Sequence, residues 1–385
     1  MELHPEVSAL LEQCIAFRRD LHQIPETCFQ EFETQAYLLD ALTRLHPDKL
    51  ERMAQTGVRA VFYSDHPVST IAFRADMDGL QTAECNDVPY ISHHEGRMHA
   101  CGHDGHMTML LLLAQLVSRN RARLPYNIVL LFQPAEEGQN GARHMIDAGA
   151  LKDPDVRQIY GMHLWPSVPK GKIGVRWGAM MAQTLEFDVH VYGKSAHGAS
   201  PQLGVDAVVA AAELITFLQA IITRNVDPHQ DAVLTFGKIS GGKARNIIAD
   251  EVTLNGTLRT FKSEVYQQMD QHLHAMLSGL EMATGARFEM LPLMHYPCVD
   301  NPRPLVEAFY QHIDMSDIVL VDPSMAAEDF ACYQQEVPGL FLFLGVQGGK
   351  NEQPLHNSRF DFDEDVLLNG VEIYCRLAGL FEKNS

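Results

Sequence analysis

The sequence predicts an α/β fold: a discontinuous domain with a mixed, mainly parallel sheet flanked by helices, interrupted by an inserted ferredoxin-like α+β unit. Three observations predict it. Short apolar strand segments alternate with helical segments between residues 60 and 163, the pattern of a parallel sheet covered by helices. The middle of the chain changes to a β-α-β-β-α-β order, the split pattern of ferredoxin-like units. After Pro297 the strand-helix alternation resumes, so the middle unit reads as an insert entering and leaving through adjacent termini.

The elements follow in order. Val7 to Leu45 has helical periodicity, broken at Ile24-Pro25-Glu26. Ala60–Tyr63, Thr70–Arg74, Asn127–Phe132 and Ile159–His163 are short apolar runs that read as strands, and Met107–Ser118 and Gly141–Ala148 read as helices between them. Leu185–Tyr192 alternates as a strand, and Val205–Thr223 is an apolar helix. Ala232–Ile239 and Val252–Phe261 are strands. Ser263 is the expected N-cap of an amphipathic helix reaching Thr284, and Arg287–Leu293 closes the unit as a strand. Ile318–Val321 and Leu340–Leu344 are strands and Asp363–Phe381 is a helix. These elements place a catalytic domain at residues 1–181 and 295–385 and the inserted domain at residues 182–294.

With 385 residues and 46% hydrophobic content, the chain is long enough for two ordinary domains with real cores. Its formal charge of −19 argues against nucleic-acid and anionic-membrane partners, which reward basic patches. The N-terminus has neither a basic nor an apolar stretch of a signal peptide, and the run Met107–Val117 is too short to cross a bilayer. The seven cysteines show no disulfide-framework spacing, which fits reduced thiols and a cytoplasmic location.

The polar clusters fall where ligands bind in open α/β sheets, beyond the carboxyl ends of strands. Thr70–Arg74 runs into Ala75-Asp76-Met77-Asp78, Asn127–Phe132 into Gln133-Pro134-Ala135-Glu136-Glu137-Gly138, and Ile159–Met162 into His163. The run Met98-His99-Ala100-Cys101-Gly102-His103-Asp104-Gly105-His106 precedes the helix expected near Thr108, and Leu355-His356-Asn357 follows the last strand. Thiolate, imidazole and carboxylate are ordinary ligands of divalent cations. Cys101, His103, Glu137, His163 and His356 suit a pair of cations, and a thiolate or carboxylate can bridge such a pair. Adjacent glutamates have a specific use in metallohydrolases: one carboxylate binds metal while its neighbour acts as general base. Taken singly, each cluster also has a structural reading, as a turn, a cap or a solvated face. The local Cys101 run also fits a cysteine-nucleophile hydrolase, which would survive metal removal.

Seven motifs in order resemble the amidohydrolase branch of the dinuclear metallopeptidase/aminoacylase family, which includes hippurate hydrolases, N-acetyldiaminopimelate deacetylases and auxin-conjugate hydrolases. They are Arg74-Ala75-Asp76-Met77-Asp78, His99-Ala100-Cys101-Gly102-His103-Asp104, Gln133-Pro134-Ala135-Glu136-Glu137-Gly138, Met162-His163, Gly193-Lys194-Ser195-Ala196-His197-Gly198-Ala199, Gly256-Thr257-Leu258-Arg259-Thr260-Phe261 and Leu355-His356-Asn357. The resemblance implies two divalent metal ions (Mn, Zn, Co or Ni) held by Cys101, His103, Glu137, His163 and His356. It implies Glu136 as the base that activates water and later protonates the amine. Asp78 is implied as an acid that orients a ligand; Asp76 and Asp329 lie in matching motifs without a defined role, and His99, Asp104 and His106 become supporting residues. The insert resembles the family's lid and dimerisation domain, in which a histidine matching His197 stabilises the oxyanion in the partner's site. Asn246 and Arg259 match substrate-binding positions, although Arg259 also suits a strand-end salt bridge. The segment around Asn246 carries Ala249 where the family usually has proline.

The expected function is hydrolysis of the amide bond of an N-acyl amino acid by a homodimer or higher homo-oligomer. A dinuclear dipeptidase or carboxypeptidase is the alternative within enzymes, and a silent metal-binding protein the alternative outside them.

Overall fold

The computed structural model describes residues 1–348 and 353–381. Residues 349–352 and 382–385, which fall in the segment 295–385 expected to be catalytic, lie outside the described residues. The chain forms two compact units, Met1–Met180 with Asp300–Asp322 and Asp329–Ser385, and Met181–Val299 with Pro323–Glu328.

In chain order the strands are β1 (Lys49–Met53), β2 (Gly57–Phe62), β3 (Ser69–Asp76), β4 (Tyr126–Gln133), β5 (Gln158–Pro169), β6 (Ile173–Val175) and β7 (Gly178–Met181). Then follow β8 (Gln183–Tyr192), β9 (Ala232–Gly241), β10 (Glu251–Thr260), β11 (Arg287–Tyr296), β12 (Val299–Asn301), β13 (Ile318–Leu320) and β14 (Gly339–Gln347).

The first unit is built on an eight-stranded sheet of order β1-β2-β4-β3-β5-β14-β6-β13. Its centre, β4-β3-β5-β14, is parallel. The pairs β1–β2, β2–β4 and β14–β6 are antiparallel, so the sheet is mixed around a parallel core. Strands β2 and β3 are buried almost throughout, because helices cover the sheet. Helix His103–Arg119 is buried at every position from His103 to Val117, so it needs an apolar surface all round rather than a stripe. Helix Leu367–Leu377, preceded by a 3₁₀ turn at Glu364–Val366, is likewise buried, and it begins later than the expected Asp363 because that first turn is tighter than α.

The second unit is an antiparallel sheet of order β11-β8-β10-β9 with two helices. Helix Ala207–Asn225 is long and apolar enough, by length and composition, to cross a membrane. It instead buries Ala207, Ala210, Ala211, Leu214, Leu218 and Ile221, a helical stripe that packs with alternate β8 residues Leu185, Phe187, Val189 and Val191. Asp206 caps it, its Oδ1 accepting from the Val208 amide at 2.9 Å.

Two expectations are corrected here. Ser263 is the first residue of helix Ser263–Thr284, not its cap; Lys262 holds the cap position and the Ser263 hydroxyl donates to Gln183 Oε1 at 3.2 Å. The boundary of the insert also shifts. Strand β11 continues to Tyr296, and Pro323–Glu328, expected in the catalytic segment, belongs to the second unit. The Ala182 amide donates to Ser324 O and Ala326 O, and Arg259 Nη1 donates to Met325 O, bonds between residues far apart in sequence.

Candidate metal centre

Parallel strands end at the same edge of a sheet, and three of them deliver the site. Strand β3 ends at Asp76 and β4 at Gln133, in register as partners. The last registered pair of β3 and β5 is Arg74–Gly161, so two residues further on His163 is level with Asp76, the last residue of β3. Strand β5 does not end at His163 as expected but runs on to Pro169, paired with β14. His163 is therefore held inside a strand, where backbone bonds limit its movement.

The helix that follows Cys101 begins at His103, five residues before the expected Thr108. Gly102 takes its N-cap position with φ +86°, a conformation side chains disfavour, and a Cβ there would lie 2.9 Å from Leu164 Cδ1. This glycine lets the chain turn sharply between two potential ligands. His356 is also left-handed, with φ +65°, and its amide donates to Ala100 O at 2.8 Å, which ties its loop to the Cys101 segment.

The ligand geometry is specific in its tautomers. His103 Nδ1 donates to Asp78 O at 2.8 Å and His163 Nδ1 donates to Leu164 O at 2.7 Å. Each ring thereby keeps its lone pair on Nε2 in the neutral state, as a metal-ligating imidazole requires. His163 Nε2 lies 3.4 Å from Cys101 Sγ. Among the described residues His103 Nε2 is buried without a hydrogen-bond partner, 3.9 Å from Glu137 Oε1. His356 Nε2 lies 3.2 Å from the same Glu137 oxygen. Several groups of donor atoms lie within 4.8 Å of one another, Asp76-His103-His106 and His103-Glu136-Glu137 among them, and two triads are made wholly of the expected ligands, Cys101-His103-His163 and Cys101-Glu137-His356. They share the Cys101 sulfur. All five residues expected as ligands are thus brought together, and an orphaned buried imidazole nitrogen among carboxylate and thiol fits a cation.

Electrostatics supports the same assignment. Burial, then the carboxylates of Glu137, Glu136 and Asp76, push the Cys101 thiol well above its ordinary range. A protonated thiol is a poor nucleophile, which argues against the cysteine-hydrolase reading. Burial opposes charge on His103, but Asp76, Asp78 and Glu137 outweigh it and raise the ring to about 10. Burial and the neighbouring His106 hold His163 well below the usual histidine range.

The supporting residues form a connected set. Asp78 accepts from the Glu136 amide at 3.1 Å and the Glu137 amide at 3.0 Å, while Cys28 Sγ donates to its Oδ2. Asp76 Oδ1 faces His106 Nδ1 at 2.6 Å, and His106 Nε2 accepts from the Leu164 amide at 2.9 Å. Arg74 spreads its guanidinium over Gln133, Asp76 and Asp329 at 2.8, 2.6 and 2.8 Å. Asp329 also accepts from Gln133 and the Ala142 amide; burial raises its carboxyl to about 6 even beside Arg74. Asp104 is paired with Arg18 Nε at 3.0 Å and His22 Nδ1 at 2.7 Å. His99 is buried, and desolvation lowers it to about 4, so it is neutral. Arg18, His22, Cys28 and Glu31 carry no signal in the sequence, because only folding brings the segment 18–31 beside the motifs.

The three expected residues of the second unit are described within that unit. His197 is exposed, and its Nδ1 accepts from the Ala199 amide at 3.1 Å, which places its proton on Nε2 in the neutral form. Asn246 is exposed, its carbonyl accepting from the Gly198 amide at 2.8 Å. Arg259 donates from Nη1 to Met325 O at 2.9 Å and lies 3.6 Å from Glu186 Oε1.

A model of peptidase family M20/M25/M40 matches residues 72–379 of the chain. An N-acetyldiaminopimelate deacetylase of Bacillus licheniformis is 38% identical over 369 residues, covering 94% of this chain and 97% of the relative. One from Bacillus subtilis is 36% identical over 367 residues, with 94% and 97% covered. The crystal structure of the Bacillus subtilis YXEP protein, described as a dinuclear metal binding peptidase from the M20 family, superposes with TM-score 0.82 at 32% identity, covering 96% of this chain and 98% of the other.

Proposed function

Because this chain belongs to peptidase family M20/M25/M40 and is a metal-dependent amidohydrolase, we propose that it cleaves the acyl group from an N-acyl amino acid, with Glu136 as general base. The observation that carries this reading is the pair of triads sharing Cys101, one of which contains Glu137, the residue next to Glu136. When bound, two divalent cations would supply Lewis acidity that polarises the amide carbonyl and acidifies a water. Cys101, His103 and His163 would hold one, and Cys101, Glu137 and His356 the other. The mixed nitrogen, oxygen and sulfur donors suit Mn, Zn, Co or Ni.

The chain's own groups do the proton work. Glu136 takes a proton from water and returns it to the departing amine. Asp78 fixes the backbone of both glutamates through their amides. His197, with its Nε2–H a donor, supports the oxyanion. Arg259 and Asn246 bind the substrate's α-carboxylate, for which a guanidinium fork is suited.

The second unit serves as lid and dimerisation domain in this reading. Val208, Val209 and Phe217 are exposed on helix Ala207–Asn225, and Ile239 on strand β9, which forms one edge of its sheet. An exposed apolar helix face beside a strand edge favours pairing with a second copy. Sedimentation at micromolar concentration is expected to give a dimer, and a monomer would remove this assignment.

The substrate class is tested with purified enzyme, each of the four metals, and a panel of N-acetyl amino acids, N-acetyldiaminopimelate included, against dipeptides. Higher kcat/KM on the N-acyl compounds is expected. A preference for dipeptides would replace the deacylase reading with a dipeptidase, the peptidase description of the structural relative being the reason to include them.

A further inference from the structure

The turn that carries Glu136 has an unusual backbone. Ala135, immediately before it, is buried and left-handed, with φ +56°. A side-chain-bearing residue adopts that conformation only where its surroundings impose it. The three successive amides of residues 135, 136 and 137 all point at carboxylates. The Ala135 amide donates to Glu31 Oε1 at 3.0 Å, and the next two donate to the oxygens of Asp78 at 3.1 and 3.0 Å. Consecutive amides flanking a left-handed residue form a concave anion nest. Here the nest holds two carboxylates of the chain itself.

Glu31 is built for this position. It is fully buried, 0% exposed. Its Oε2 accepts from the Thr56 hydroxyl, and its own carbonyl accepts from the Gln35 amide at the start of helix Phe32–Thr43. The carboxylate is thus anchored on one side to that helix and to Thr56, and on the other to the amide that sets the turn. The far end of the turn is closed too. The Gly141 amide donates to Ala135 O at 3.1 Å, and a Cβ on Gly141 would fall 1.6 Å from Pro134 O.

We propose that Glu31 is a positioning residue for Glu136: by holding the Ala135 amide it fixes the left-handed turn and so the direction in which the Glu136 carboxylate leaves the backbone. The inference rests on the reading of Glu136 as general base. Asp78 holds the amides of residues 136 and 137, whereas the Ala135 amide, on the left-handed residue itself, is held by Glu31. Without Glu31 the Ala135 amide is a buried donor with no acceptor, and the turn relaxes toward a right-handed or extended φ. That relaxation rotates the following residue.

The test is a double-mutant cycle with metal content measured throughout. Glu31→Ala is expected to lower kcat by about 10- to 100-fold, with KM and bound metal changed less than about threefold. Glu31→Gln keeps an oxygen that accepts from the Ala135 amide, so it is expected to recover kcat to within about fivefold of wild type. In the background of Glu136→Gln, Glu31→Ala is expected to cost almost nothing further, since a misaimed base and an absent base are one loss. Equal losses in both backgrounds, or no recovery in Glu31→Gln, would overturn the inference. If Glu31→Ala fails to fold, Glu31→Gln and Thr56→Val carry the cycle, Thr56→Val being expected to lower kcat and to be silent beside Glu136→Gln. A Glu136→Gln enzyme of wild-type activity would instead refute the base assignment. Wild-type kcat in Glu31→Ala, with Glu136→Gln inactive, refutes only the positioning role.

Discussion

Glu136→Gln is expected to reduce kcat by roughly 10²- to 10⁴-fold while leaving metal content and KM close to wild type. Glutamine has the shape of glutamate, so the Glu136 amide can keep its bond to Asp78 Oδ1 and the turn its conformation. Glu137 and the other candidate ligands are untouched. What disappears is the ability to accept a proton from water and to return it to the amine. Both transfers pass through the same carboxylate. Glu137 is the nearest carboxylate in sequence, but its Oε1 lies 3.2 Å from His356 Nε2 and 3.9 Å from His103 Nε2, inside the ligand set. The measurement is steady-state kinetics beside elemental analysis of the same preparation. Turnover within threefold of wild type would reject Glu136 as the base. A joint fall in metal and activity would show that it acts as a ligand.

How far the site was legible follows from which interactions are local. Strands β3, β4 and the first half of β5, through Leu164, stand out in the sequence because both faces are buried and their residues are mostly apolar. The polar groups just past β3 and β4 were legible for the same reason, and His163 because it is the first polar residue after a buried run. Strand β1, Lys-Leu-Glu-Arg-Met, carries no strand signal in the sequence: it lies at the sheet edge with no residue fully buried, so no apolar period marks it. The start of the helix at His103 is equally unmarked in the sequence. His103, Asp104 and Gly105 are poor helix formers, and the Asp78 carbonyl facing His103 and the Asp76 carboxylate facing His106, rather than propensity, hold that turn. Glu31 carries no signal in the sequence because its bond to the Ala135 amide spans 104 positions.

Cys101→Ala is expected to lower metal affinity by about 100-fold or more and to abolish activity at stoichiometric metal, because Cys101 is common to both triads. Removing His163 or His356 would damage one triad; removing the sulfur damages both. Without cations the thiol is buried beside carboxylates that disfavour its ionisation, so it has no independent chemistry to lose. A bound cation reverses that balance, since a coordinating thiol gives up its proton. The variant Cys101→Asp separates the ligand role from mere packing. A carboxylate can bridge two cations as a thiolate can, whereas serine of similar volume to cysteine is a weaker ligand. Metal retention is therefore expected to fall in the order wild type, Cys101→Asp, Cys101→Ser, Cys101→Ala, read by equilibrium dialysis and elemental analysis. Chelation of the wild-type enzyme should remove activity, and adding back divalent metal should restore it. Undiminished metal in Cys101→Ala would remove the sulfur from the centre. Activity that survives chelation would return Cys101 to the role of nucleophile, against the raised pKa of its buried thiol.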